Sequence, residues 1–166
     1  EANFPLLNAN IYKHSDNTLL TVDNGKVFES TIIEREDVKI GVIGYIGDVY
    51  TSINYVMAKD YYFDNDIAES VSSIGSDLKE QGVDIIVVTV HGGNSSSIEN
   101  YYVNQSIANL KYNGEYLVDA VINGHTHTRQ TGYINRYDGS TLPLVQGGGN
   151  GEAFGEAVVL NAGNNW

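Results

Sequence analysis

Three of the four histidines in this 166-residue chain follow directly on apolar, β-branched runs. His91 closes the run Val83 to Val90, and His125 and His127 follow Leu117 to Ile122 after Asn123-Gly124. If those runs are strands of an open α/β sheet, their carboxyl ends are where ligands gather. Imidazoles brought to that edge offer nitrogen ligands to Zn, Mn, Fe or Ni, and Gly92, Gly93 and Gly124 let the backbone turn tightly beside an ion. The spacing of His125 and His127 lets them face one ion together or two neighbouring ions. A single loop histidine is more often a solvated or hydrogen-bonded structural residue, but three of them after buried strands shift the balance toward a metal site. His14, in the polar stretch Lys13-His14-Ser15-Asp16-Asn17, lacks that setting and reads as exposed. With no Cys in the chain, thiolate sites, thiol nucleophiles and disulfides are all excluded, so a metal must rely on His, carboxylate or amide.

The elements that would position these histidines are legible as alternating patterns. Leu6, Leu7, Ala9 and Ile11 predict a short strand, and Val27 to Ile33 a second. Val38 to Ile46 is almost wholly apolar after Lys39, which suits a strand buried on both faces. From Asp66, the residues Ile67, Val71, Ile74 and Leu78 recur at helical spacing and Gly82 stands just past the end, which predicts the clearest helix of the chain. Val83 to Val90 follows as a buried strand, completing the order of a parallel crossover unit in a doubly covered sheet. Ser95-Ser96-Ser97 offers N-caps for a helix over Ile98 to Leu110, broken at Asn113-Gly114. Leu117 to Ile122 is a third buried strand. Tyr133 to Tyr137, Leu142 to Gln146 and Phe154 to Leu160 read as a closing antiparallel set, joined by Asp138-Gly139 and the Gly147 to Gly151 loop.

Composition narrows the class. A chain of 18.1 kDa with 42% hydrophobic residues is the size of one domain and carries enough apolar mass for a core. Nine basic against twenty-one acidic residues give a formal net charge of −12, which repels phosphate backbones and anionic lipid and disfavours nucleic-acid polymers as partners. No apolar run approaches the ~20 residues of a membrane-spanning helix. The start at Glu1-Ala2-Asn3, without Met, suggests a mature or excised piece of something longer. Bland readings suffice elsewhere. The Gly147 to Gly151 loop lacks the Lys of a nucleotide-binding loop, Tyr61-Tyr62 and Tyr101-Tyr102 suit packing or surface cover, and Asn94 has no second feature to make it a substrate contact.

Taken with their surroundings, the segments Val90-His91-Gly92-Gly93 and Asn123-Gly124-His125-Thr126-His127 resemble the last two motifs of the calcineurin-like metallophosphoesterases. The likeness is closest to the 5′-nucleotidase and 2′,3′-cyclic-nucleotide phosphodiesterase branch. Phe4-Pro5-Leu6-Leu7-Asn8-Ala9-Asn10-Ile11 and Val38-Lys39-Ile40-Gly41-Val42-Ile43-Gly44 are similar to two of its strands. Leu144-Val145-Gln146-Gly147-Gly148 and Phe154-Gly155 are similar to its closing strands, whereas Tyr45-Ile46-Gly47-Asp48 departs from its usual turn. The resemblance implies an α/β fold, the C-terminal half of an α/β/β/α domain, with residues 1–166 as a single partial domain. It also implies hydrolysis of nucleotide phosphate esters at a centre of two divalent ions, Zn, Mn or similar, where a bridging water attacks phosphorus. By position His91 and His125 match imidazoles on one ion and His127 one on the other, each donating its second ring nitrogen to a carbonyl or carboxylate.

The earlier motifs of that family, Asp-x-His, a bridging Asp and Asn-His, have no counterpart here, and Asp16, Asp23, Asp37 and Asp48 stand in other contexts. No catalytic residue is therefore assigned, metal binding by this chain alone is expected to be weak or partial, and hydrolysis slight or nil. The missing N-terminal half of the domain is the expected partner, with a nucleotide as substrate and a secreted or cell-surface location by family resemblance. Two rival readings stand: a non-catalytic binding or structural module that kept the fold, and a centre completed by a second chain.

Overall fold

The β-branched runs do become the central strands. The structure, a computed structural model, describes residues 3–20, 27–47, 53–92 and 105–159. The strands are β1 (Leu6–Leu7), β2 (Ile11–Lys13), β3 (Val27–Phe28), β4 (Ser30–Arg35), β5 (Val38–Ile46), β6 (Tyr61–Phe63), β7 (Ile85–His91), β8 (Lys111–Tyr112), β9 (Glu115–Tyr116), β10 (Ala120–Asn123), β11 (Arg129–Asn135) and β12 (Thr141–Gly147). The helices are α1 (Tyr55–Ala58) and α2 (Ile67–Glu80). Six strands form one sheet in the order β11-β12-β10-β7-β5-β4, in which β5, β7, β10 and β12 run parallel and the two edge strands antiparallel. The architecture is mixed α/β with a mostly parallel central sheet, as the sequence predicts.

Helix α2 sits where the spacing places it. The Asp66 side chain accepts a hydrogen bond from the Glu69 backbone N–H at 3.0 Å and caps the first turn, and Gly82 takes φ +78° just past the last. Its buried side, Ile67, Val71, Gly75 and Leu78, packs into one core with Ile43, Tyr45, Ile86, Val88, Val90, Val121 and Leu144. These sheet residues share a face through the register that pairs Ile43 with Val88 and Val121 with both Val88 and Leu144. Gly41 and Gly75 admit this closeness: a methyl group at Gly41 would stand 2.9 Å from a Leu78 Cδ, and one at Gly75 2.8 Å from a Leu117 Cδ.

The opposite face departs from the expected double cover. Leu7 of β1 lies against Gly44, where a methyl group would stand 2.3 Å from the Leu7 Cβ, and the chain at Phe154-Gly155 crosses Val145 and Gly147. Between these two straps Ile122 remains 41% exposed, and beyond the second, on the edge strand β11, Tyr133 is 73% exposed, so this apolar face is only partly covered among the described residues.

Several boundaries differ from the expectation. The run from Leu6 to Ile11 is two strands, because the Asn8 side-chain oxygen accepts from the Asn10 and Ile11 backbone N–H groups and turns the chain between them. Leu117 and Val118 are buried core residues outside the ladder, which starts at Ala120. Asn113 and Gly114, both at positive φ, make a two-residue hairpin turn joining β8 to β9, not merely a helix stop. The expected strand from Phe154 makes no ladder over its described part, 154–159, which is mostly exposed. Of the expected helix over Ile98 to Leu110, residues 105–108 are helical, while 98–104 lie outside the described residues, as do Gly93, Asn94, Ser95 to Ser97 and Tyr101-Tyr102.

Candidate metal centre

Four parallel strands end together, and the histidines stand at that edge. Register pairs Ile46 with His91 and Asn123 with Val90. The ladder reaches past the strand ends: the Gly47 N–H donates to the His91 carbonyl at 3.2 Å and the Gly124 N–H to the Val90 carbonyl at 3.0 Å. Both turns that follow the strands are thereby pinned to β7. Gly124 lies against the His91 ring, where a methyl group would meet the Nδ1 at ordinary contact distance, 3.5 Å.

His91 and His125 meet. The His125 Nδ1 lies 3.2 Å from the His91 Nε2, with ring centroids 4.9 Å apart and planes at 71°. Two imidazole nitrogens on one tetrahedral ion, each at about 2.0–2.1 Å, stand about 3.3 Å from one another, so this separation fits a chelating pair as well as a hydrogen bond. Burial, with the neighbouring His125 and His127 adding to it, pushes the His91 pKa below its ordinary value, which favours the neutral, ligating imidazole. A cleft of about 300 Å³ opens beside the pair on the partly covered face, lined by Leu7, Gly44, Thr89, His91, Ile122 and Gly124.

His127 is held apart. A methyl group at Gly149 would stand 2.7 Å from the His127 Cγ, so the imidazole packs against the glycine loop that follows β12. Both His125 (φ +83°) and His127 (φ +56°) adopt the left-handed backbone region, which costs a non-glycine residue of order 1–3 kcal/mol and persists only where surroundings over-determine it. Among the described residues no three His, Asp or Glu side chains stand together as a metal-holding group. The donor set thus fits two corners of one ion's shell and leaves the rest to be supplied from elsewhere. His14 is exposed, as expected, with its ring 5.2 Å from that of Tyr62.

Three amide side chains that support this edge carried no weight in the sequence reading. Asn10 is fully buried: its Nδ2 donates to the Ile46 carbonyl at 2.7 Å and the Asp64 carbonyl at 2.8 Å, and its Oδ1 accepts from the Ile46 N–H at 3.0 Å. It fixes the end of β5 opposite His91. Gln146 and Asn123, at the ends of β12 and β10, are buried beneath the histidine loop. The Asn123 amide and the Gln146 Oε1 have no hydrogen-bond partner among the described residues, at a cost of about 1–3 kcal/mol per group. The signal available in the sequence was a lone amide within or closing an apolar run.

No family model matches the sequence. Among curated proteins, the chain is 36% identical over 130 residues to cell wall protein Lmo0130 of Listeria monocytogenes, an alignment covering 70% of this chain and 16% of that protein. It is 27% identical over 130 residues to the trifunctional nucleotide phosphoesterase YfkN of Bacillus subtilis, covering 76% of this chain and 9% of that one. The chain therefore spans less than a fifth of the length of either relative. Solved structures share the fold. The calcineurin-like phosphoesterase YfkN of Bacillus subtilis superposes with a TM-score of 0.56 at 23% identity over 89% of this chain and 47% of its own. A 5′-nucleotidase precursor of Thermus thermophilus superposes with a TM-score of 0.63 at 18% identity, over 87% of this chain and 28% of its own. Sequence and fold point the same way: the chain is similar in sequence to a nucleotide phosphoesterase and shares the fold of calcineurin-like phosphoesterases and 5′-nucleotidases.

Proposed function

We propose that the chain is the C-terminal half of a metallophosphoesterase catalytic domain acting on nucleotide phosphate esters, and that it contributes three ligands, His91, His125 and His127, to a centre of two divalent ions. The observation that carries the proposal is the His91–His125 pair, with ring nitrogens 3.2 Å apart at the carboxyl edge of the parallel strands. His91 and His125 would hold one ion and His127 its neighbour. When bound, the ions supply Lewis-acid stabilisation of phosphoryl charge and lower the pKa of water. The chain's own part is to present neutral imidazoles from pinned turns and to offer the adjoining cleft to the ester. With a formal charge of −12 it has little else to attract a phosphate. The acidic ligands, and any general acid, belong to the N-terminal half of the domain.

This reading makes the isolated chain a weak metal binder with little or no hydrolysis. The likeness to a cell wall protein supports a secreted or cell-surface setting. Hydrolysis of a chromogenic phosphodiester, assayed with added Mn or Zn, tests the proposal. The 166-residue chain should be inactive, and the chain extended upstream by its native coding sequence should be active and lose that activity on His91→Ala, His125→Ala or His127→Ala. Inactivity of the extended chain at every metal concentration refutes it. Ligand or partner binding indifferent to those three substitutions would favour the non-catalytic module instead.

A further inference from the structure

The loop Gly124 to Thr128 carries two histidines on left-handed backbone, with no strand ladder of its own, so something else must hold it in place. Among the described residues, a buried amide supplies a tie at its middle. Gln146, 3% exposed on β12, aims its amide at the loop: Nε2 lies 2.7 Å from the Thr126 Oγ1, 2.8 Å from the Thr128 carbonyl and 2.9 Å from the Thr128 Oγ1. The two threonine hydroxyls are 3.0 Å from one another, closing a small ring of polar atoms around the amide nitrogen. Thr126 stands between His125 and His127, and Thr128 directly after, so the residues gripped are those that alternate with the histidines.

We infer that Gln146 is the positioning residue of the metal loop: by grasping Thr126 and Thr128 from β12, it forces His125 and His127 into left-handed backbone, which turns the His125 imidazole to His91 and leaves that of His127 against Gly149. The inference rests on the proposed role of these histidines as ligands and extends it to how they are aimed. Gln146 touches no ligand atom and acts only through the loop. Its placement has a reason in the sheet. β12 neighbours β10, with Ile122 paired to Val145, so the next register step sets Gln146 beside Asn123, the residue before Gly124. The loop is therefore held at its root by the β10–β12 ladder and at its middle by one side chain. An amide suits the task because its NH₂ donates two hydrogens at once, as a carboxylate or an aliphatic side chain does not. Asn123, 6% exposed, has an amide without a partner among the described residues and supplies no competing grip.

The test uses the 166-residue chain labelled with ¹⁵N, with imidazole side-chain spectra and zinc titration against a competing chelator. Gln146→Leu removes the tie, Thr126→Val removes one acceptor while keeping shape, and Thr126→Ser restores the hydroxyl. The expected result is displaced His125 and His127 ring signals in Gln146→Leu and Thr126→Val, with His14 unmoved. Zinc affinity should fall by about 10–100-fold, and Thr126→Ser should recover both. Unchanged His125 and His127 signals in folded Thr126→Val and Gln146→Leu overturn the inference. Should Gln146→Leu fail to fold, the Thr126→Val and Thr126→Ser pair decides alone. If the unaltered chain takes up too little zinc to titrate, as a half-domain without the acidic ligands can, the ring signals alone decide the positioning role of Gln146, and the metal reading is decided by activity of the chain extended upstream.

Discussion

Replacing Gly149 by Ala tests directly whether the glycine loop after β12 seats His127. The added methyl would lie 2.7 Å from the His127 Cγ, 2.8 Å from its Cβ and 3.0 Å from its Nδ1. Carbon atoms prefer separations of about 3.5–4.0 Å, so the ring or the loop must give by about 0.7 Å or more. Overpacking of this kind costs about 1–3 kcal/mol, and for a chain of this size each kcal/mol lowers Tm by about 2–4 °C, which predicts a loss of about 2–12 °C. Gly132→Ala is the control, because a methyl group there meets nothing within 4 Å. Thermal unfolding followed by circular dichroism, together with imidazole NMR of both variants, reads the outcome. A Gly149→Ala protein with unaltered Tm and an unmoved His127 signal would refute the packing of this ring against the loop.

Two further outcomes follow from the same structure. Asn10→Ala strips the Ile46 N–H, the Ile46 carbonyl and the Asp64 carbonyl of their buried partner, so it should cost about 2–5 kcal/mol, measurable by urea unfolding. The end of β5 should show faster amide exchange before the rest of the sheet does. Burial raises the Asp119 pKa above the ordinary carboxylate value, against the opposing hydrogen bond from the Ile86 N–H and the charges of Lys79 and Arg136. A raised folded-state pKa means that this group's stabilising contribution is full below the unfolded value of 3.8 and is lost as pH rises through the folded one. Asp119→Asn, which keeps an acceptor for Ile86 without the charge, should therefore be more stable than the parent at neutral pH. The two stability curves should converge on acidification, and a gap that stays constant with pH would contradict the assignment.

Local patterning determined a good part of the fold and pointed to a candidate site. Continuous β-branched runs such as Val38 to Ile46 and Val83 to Val90 can be satisfied only by strands covered on both faces, and the spacing from Ile67 to Leu78 only by a helix with one apolar side. Since ligands collect at the carboxyl ends of such strands, the order of strand and histidine alone pointed to His91, His125 and His127. The segments that misled depend on long-range contact. The turn at Asn8 that splits the run Leu6 to Ile11 is closed by that residue's own side chain and followed by Asn10, which is bonded to Ile46, 36 residues away. The stretch from Phe154 looks like a strand by residue type yet makes no ladder, because strand propensity records fit to a neighbouring strand, and here its contact is across the face of Val145 and Gly147. What only the tertiary structure decided is the aim of the side chains: that His91 and His125 meet while His127 sits against Gly149, and that Gln146, indistinguishable in sequence from any strand-ending amide, holds their loop. The physical reason is that hydrophobic period reports which face of an element is buried, whereas the direction of a loop side chain is set by hydrogen bonds and packing from strands distant in sequence.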